Sequence, residues 1–392
     1  MLPDRLELAV DPSYEIADGT RGVRVTYSEE AQQELQGYSV VIIADTLRPI
    51  APLDFLNEKL VEDRLQILNP QRITTLVARF PRCILAEYNT HRVFSRNSAS
   101  SRARSIKVVV REIMEDPYIP LFTENRKGMS GGLLDEAGQA RARVSWLDAR
   151  DSAVAAVLNM LAGTELTGRD VAAGAWESVL DEYYQHYLDF VGDDAVPFPE
   201  SYLNVHKQNA NRLLEPFMWH EAVVTSTEWT NFLQLRDHDE ADPAIHGIAK
   251  LMEIAFKTSI PVERAIHAPF AGELVREFEA LGENIISTQA LKKAIEAANY
   301  TAGAAAQVSY RPVSGGGTGA NPAKLADRLL AMSHLSPFEH AAFSSDWIRS
   351  LGIRDEIHSN FSGEWTQHRA LLWHLQKITG RTGLPAVLEV LG

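Results

Sequence analysis

Apolar residues along the chain follow two periods. A β-branched run, Ser39-Val40-Val41-Ile42-Ile43-Ala44, and the stretch from Phe80 through Ile84 and Leu85 to Tyr88 predict strands. Apolar residues three and four apart predict long helices from Leu134 to Leu161 and from Arg169 to Phe190, with Tyr183, Tyr184 and Tyr187 packing in a core. Shorter helices are expected near Ala244 to Lys257, Ala271 to Leu281 and Pro322 to Met332, and an amphipathic stretch near Leu56 to Leu68. Asn204 to Pro216 leads into a helical region, and in the following run Trp229, Phe232, Leu233 and Leu235 are placed on the buried side of a helix, with Asn231 and Arg236 at its margin. The mixture predicts an α+β fold, an antiparallel-rich sheet flanked by long helices.

Composition narrows this picture. A chain of 392 residues can hold two domains or one elaborate domain. We divide it into an N-terminal accessory region, 1–70, and a core, 71–392, that carries a helical insertion at about 134–190. With 45% hydrophobic and 23% charged residues it is composed like an ordinary soluble protein, and no stretch approaches the roughly 20 apolar residues of a membrane helix. The N-terminus lacks the pattern of a signal peptide, so a cytoplasmic location is expected. A formal charge of −14 argues against a nucleic-acid-coating role but allows a small anion in a locally basic pocket. The single cysteine, Cys83, excludes an internal disulfide and a multi-cysteine zinc site; in an apolar strand it reads as a buried structural thiol.

Against that acidic background, Thr90 to Arg111 contains six Arg or Lys residues and no Asp or Glu. Arg92, Arg96, Arg102, Arg104, Lys107 and Arg111 alternate with Ser95, Ser98, Ser100, Ser101 and Ser105, placing guanidinium forks beside hydroxyl donors, a combination suited to phosphate or carboxylate. Two other stretches are discounted. The glycine-rich Ser314 to Gly319 lacks the Gly-Lys-Ser/Thr ending of a phosphate loop, and His334 and His340 are not spaced as zinc ligands on one helical face.

These residues resemble the flavin-dependent thymidylate synthases. That family's signature reads Arg-His-Arg, two residues, Ser, one residue, Asn-Glu, one residue, Ser, one residue, Arg-Tyr, and His91, Arg92, Ser95, Asn97, Ser100 and Arg102 match it at its spacing. Arg212 ahead of Leu214-Glu215-Pro216 and the run Asn231-Phe232-Leu233-Gln234-Leu235-Arg236 match two later motifs. Two motifs that come first in the family, Gln307-Val308-Ser309-Tyr310 and Ser336-Pro337-Phe338-Glu339-His340, lie here at 305–345, so the resemblance implies a circularly permuted core. A partial duplication is the rival explanation, because Gln367-His368-Arg369 follows His340 at the family's own spacing; Thr90 to Arg102 is retained as the working motif. The chain departs from the signature at Thr90, Ser98 and Ala103, has Thr225-Ser226-Thr227 in place of Asn-x-Arg, and carries Glu87 where many members have Gln.

The resemblance implies a methyltransferase that moves a one-carbon unit to C5 of a pyrimidine deoxynucleotide monophosphate, dUMP to dTMP, in nucleotide biosynthesis. FAD would be the cofactor, with NADPH and methylenetetrahydrofolate as co-substrates. Carried over by position, His91, Arg92, Asn97, Asn231 and His340 are expected flavin contacts. Glu87, Ser98, Ser100, Ser101, Arg102, Arg212 and Arg236 are expected nucleotide contacts, with Arg236 also catalytic by favouring the anionic ring. The family builds its site between subunits, which implies a homo-oligomer, a homotetramer in the family; no membrane and no polymeric nucleic acid are expected as partners. A carboxylate at Glu87 accepts hydrogen bonds, so methylation or hydroxymethylation of another pyrimidine nucleotide such as dCMP is an alternative. A non-catalytic flavin- or nucleotide-binding protein is a further one.

Overall fold

Ile73, Thr74, Thr75, Val77 and Ala78 give Arg72–Pro81 a strand buried on both faces, which places it inside a sheet and not at an edge. The computed structural model describes the chain except residues 1, 3–5, 17–19, 32, 50–70, 128–130, 194, 309–320, 354–356 and 380–392. Strands are β1 (Leu8–Glu15), β2 (Arg21–Tyr27), β3 (Ser39–Leu47), β4 (Arg72–Pro81), β5 (Ser95–Ser98), β6 (Trp219–Ser226), β7 (Val262–Glu263), β8 (Ile266–His267), β9 (Ala342–Ser344) and β10 (Trp365–Gln367). Helices in the first half are α1 (Leu85–Tyr88), α2 (Ile106–Glu115), α3 (Glu136–Ala162), α4 (Gly168–Ala172), α5 (Trp176–Val191) and α6 (Lys207–Leu214). They are followed by α7 (Thr230–Arg236), α8 (Pro243–Thr258), α9 (Gly272–Glu279), α10 (Thr288–Gln307), α11 (Pro322–Ala331), α12 (Ser345–Ser350) and α13 (His368–Thr379).

The fold is α+β with an antiparallel sheet. The main sheet runs β1-β2-β3-β4-β6-β5, antiparallel along that path, and β7 joins β3 in parallel. Strands β10-β9-β8 form a second, small antiparallel sheet. Because side chains alternate across a strand, Ile42, Leu76, Ala78, Phe80, Ala222 and Val224 share a core with Ile245, Ile248, Leu251 and Met252 of α8. Ile43, Val77 and Val223 belong to the other face. On that face the small sheet packs with α10 and α13 around Leu291, Ile295, Phe343 and Leu371. A third core joins α2, α3, α5 and α6 through Val109, Ile113, Leu158, Leu161, Leu180 and Leu214.

Several expectations are corrected. The strand predicted to reach Tyr88 ends at Pro81, after which a 3-10 turn at Arg82–Ile84 leads into α1. Pro81 has no N–H with which to extend the ladder. Cys83 therefore lies on that turn and is exposed, not buried in a strand. Partial desolvation by the surrounding protein, with the Asp242 charge adding, raises the thiol pKa to about 11, so it is not a thiolate at neutral pH. The helix predicted from Arg169 to Phe190 is two helices, broken at Gly174, whose φ of 92° favours a residue without Cβ. Of its three tyrosines only Tyr183 is buried; Tyr184 and Tyr187 are half-buried and line a cleft. Leu235 is exposed, whereas Trp229 and Phe232 are buried as expected.

Strands β1 to β3 continue the same sheet as β4, with no break in pairing between the N-terminal region and the core. Leu56 to Leu68, Ser309, Tyr310 and the glycine-rich Ser314 to Gly319 lie outside the described residues. No helix among the described residues is long and apolar enough to cross a membrane.

Candidate functional site

The turn after β4 and the end of α7 meet although their residues are far apart in sequence. Arg236 closes α7 and forms an ion pair with Glu87 of α1, and its Nε donates to His91 Nε2 at 3.1 Å. Thr90 Oγ1 donates to the Glu87 carbonyl at 2.7 Å, tightening the turn that presents His91. The His91 ring sits edge-on to Phe232, with centroids 5.0 Å apart, and is stacked on Phe94. Burial first, then the charges of Arg236 and Arg96, lower its pKa to about 4, so the ring is neutral at pH 7. Because a guanidinium N–H only donates, His91 Nε2 is the acceptor and the ring proton is on Nδ1. Glu87 and Arg236 keep 29% and 16% of their side-chain surface exposed, so the pair is accessible.

The serine- and arginine-rich turn after β5 is held against α6. Asn211 Nδ2 donates to the carbonyls of Ser101 at 2.8 Å and Arg104 at 3.1 Å, and Lys207 Nζ donates to the Ala103 carbonyl at 2.9 Å. Arg82 ties the same region together, reaching the Ala99 carbonyl at 3.1 Å and Glu215 at 3.2 Å. Arg102 and Arg212 are thereby carried on adjoining elements, both exposed and neither paired with a carboxylate among the described residues. Arg212 also lines a cleft of about 520 Å³ with Arg82, Ala86 and Asn89, so the cleft borders the helix that carries Glu87. Ser98 and Ser100 are half-buried and Ser101 is buried. Of the other cations in the basic stretch, Arg104 pairs with Glu112, Lys107 and Arg111 pair with Asp181, and Arg96 donates to the carbonyls of Tyr88 and His91.

A third group forms on the opposite face of the sheet from α8. Ser95 Oγ accepts from Asn360 Nδ2 and Gln367 Nε2, each at 3.0 Å, and Ser336 Oγ lies 3.5 Å from Asn97 Oδ1. Glu339 pairs with Arg369 and hydrogen-bonds Ser95; burial raises its pKa while the neighbouring charge of Arg369 opposes the shift. His340 Nδ1 is 2.8 Å from Thr225 Oγ1, and its Nε2 is enclosed without a partner among the described residues. The segment at 336–340 therefore meets β5 and β6. Asn360, Gln367 and Arg369 are absent from the sequence-based site. The signal for two of them is Gln367-His368-Arg369, set aside there as an incomplete repeat.

The five expected flavin contacts differ in burial. Asn97 and His340 are buried, whereas Arg92 and Asn231 are exposed and make no side-chain hydrogen bond among the described residues. Of the expected nucleotide contacts, Glu87 and Arg236 pair directly, and the turn that carries Ser100 to Arg102 is bound to α6, which carries Arg212. Among the described residues no three metal-binding side chains cluster.

Comparison with family profiles and with curated proteins finds no match. Among solved structures, the crystal structure of a UMP/dUMP methylase PolB from Streptomyces cacaoi bound with 5-Br UMP is similar at a TM-score of 0.33 and 14% identity, over 56% of this chain and 88% of that one. So loose a superposition does not establish a common fold.

Proposed function

We propose that the chain binds a pyrimidine deoxynucleotide monophosphate and transfers a one-carbon unit to C5, dUMP to dTMP. The observation that carries the reading is the junction of Arg236 with Glu87 and His91, which joins two separated motifs of the family resemblance at one accessible place. In this reading Glu87 accepts from the base and Arg236 donates to it, stabilising negative charge as it develops on the ring. Neutral His91 holds the guanidinium in place without adding a repelling charge. Exposed Arg102 and Arg212, with Ser100, take the phosphate. FAD, with NADPH and methylenetetrahydrofolate as co-substrates, belongs to this reading through the resemblance, which also implies a site shared between copies of the chain.

The test is release of tritium from 5-tritiated dUMP, with 5-tritiated dCMP in parallel. Purified protein should be yellow, NADPH should bleach it, and dUMP should release tritium in the presence of methylenetetrahydrofolate. The carboxylate at Glu87 supports a second reading, in which the amino group of cytosine is recognised; exclusive turnover of dCMP would select it. Nucleotide binding with no release from either substrate would leave only a binding protein. No nucleotide binding would overturn both enzymatic readings.

A further inference from the structure

Five buried side chains form an unbroken series across β3, β4 and β6. Thr46 Oγ1 is 2.8 Å from His267 Nδ1, and His267 Nε2 is 2.8 Å from Thr75 Oγ1. Thr75 Oγ1 is 2.6 Å from Thr225 Oγ1, and Thr225 Oγ1 is 2.8 Å from His340 Nδ1. Every member is buried, and the two rings are neutral because burial lowers their pKa values to about 3. Each neutral imidazole then has one donor and one acceptor nitrogen, and each hydroxyl has one proton to donate.

Counting protons leaves two arrangements. If His267 Nε2 donates to Thr75, Thr75 must donate to Thr225, and Thr225 must donate to His340 Nδ1. Both rings then carry the proton on Nε2. If Thr75 instead donates to His267 Nε2, Thr225 must donate to Thr75 and His340 Nδ1 must donate to Thr225. Both rings then carry the proton on Nδ1. A mixed pair would put two protons, or none, between a pair of neighbouring atoms.

We propose that Thr46, His267, Thr75 and Thr225 act as one relay that sets the tautomer of His340, so that His267 and His340 always carry the ring proton on the same nitrogen. His340 is the open end, since its enclosed Nε2 has no partner among the described residues. Reversing the relay converts that nitrogen from an acceptor into a donor. A hydrogen-bond acceptor brought to Nε2 therefore selects the Nε2-protonated pair, and a donor selects the other. His267, Thr75 and Thr225 are positioning residues for His340. The inference rests on the geometry of the series and on the neutrality of its two buried rings, and does not depend on the proposed reaction.

Long-range proton–nitrogen correlation spectra of histidine-labelled full-length protein at pH 7 test it, with the two rings assigned through their backbone signals. Equal tautomer populations at His267 and His340 are expected; opposite or unequal populations would overturn the relay. Thr225→Val, which removes the hydroxyl at similar volume, should change the tautomer ratio of His340, while Thr225→Ser should preserve it. An unchanged ratio in Thr225→Val would also overturn the proposal. If that variant fails to fold, the wild-type comparison decides alone. Neither readout requires nucleotide, so colourless or inactive protein would leave this test intact.

Discussion

At the scale of single residues, the pair Arg236 and His91 offers a direct test of the site's electrostatics. Burial is the larger cause of the lowered His91 pKa, and the Arg236 charge is the next. Arg236→Gln keeps a polar group of moderate size but removes the charge. The His91 pKa should therefore rise from about 4 in this variant while staying below the ordinary value of about 6.5, because burial persists. A proton–carbon NMR titration of labelled histidine reads it. No movement would mean that the guanidinium is not held at the ring. Loss of the partly exposed Glu87 ion pair should lower stability by at most about 1 kcal/mol.

At the scale of elements, two contacts fix how helices sit. Asn211 of α6 is fully enclosed and satisfies two carbonyls of the basic turn. Asn211→Ala should destabilise the protein by about 1–3 kcal/mol, because those carbonyls lose their donors in a dry place. Urea unfolding measures the loss, and weaker nucleotide binding should accompany it as the turn carrying Arg102 loosens. Gly303 of α10 makes a closer test of packing. A Cβ there would lie 1.8 Å from the Pro322 carbonyl oxygen at the start of α11. Alanine normally favours a helix over glycine by about 1 kcal/mol, but the contact is with backbone, which cannot swing aside. Gly303→Ala should therefore lower the thermal midpoint despite its better propensity; a raised midpoint would show that the two helices can separate.

Those elements also show what the sequence makes legible. Helices α3, α8 and α11 are legible from their runs of apolar and helix-favouring residues, although α8 is enclosed on nearly every side and α3 is buried only from Asp151 to Ala162. The ends of β4 and α4 are not, since Pro81 and Gly174 act through local backbone geometry that an apolar run obscures. In the site, Glu87, His91 and Arg236 are legible as motif residues. Their direct junction is not, because it depends on where α7 lands on the turn after β4. Gln367 and Arg369 were missed because their neighbours lack the Ser and Asn that define the signature, yet they bond to Ser95 and Glu339 of its other parts. The relay through Thr46, His267, Thr75 and Thr225 has no sequence signature. It arises only when β-sheet register puts Thr75 opposite Thr225 and brings His267 and His340 to the same face.

Across the whole molecule, these enclosed rings determine how stability responds to acid. His267, His340 and His368 are buried with pKa values lowered to about 3, and His91 to about 4. In the unfolded chain each returns to about 6.5. Between those values the unfolded state binds more protons than the folded state, so stability rises with pH and is lost as pH falls below about 6.5. Each fully neutral buried ring contributes a slope approaching about 1.4 kcal/mol per pH unit once its unfolded counterpart is protonated. The raised pKa of Glu339 acts in the opposite sense. Unfolding free energies between pH 7 and pH 5.5 test the sum, in which the histidines outnumber it. We expect a decline of several kcal/mol across that interval, steepest at its acidic end, and a smaller decline in His368→Gln, whose amide can keep a partner for Asn299 without gaining a proton. A flat profile would show that the rings are protonated in the folded protein, and the proton count that links His267 to His340 would then fail as well.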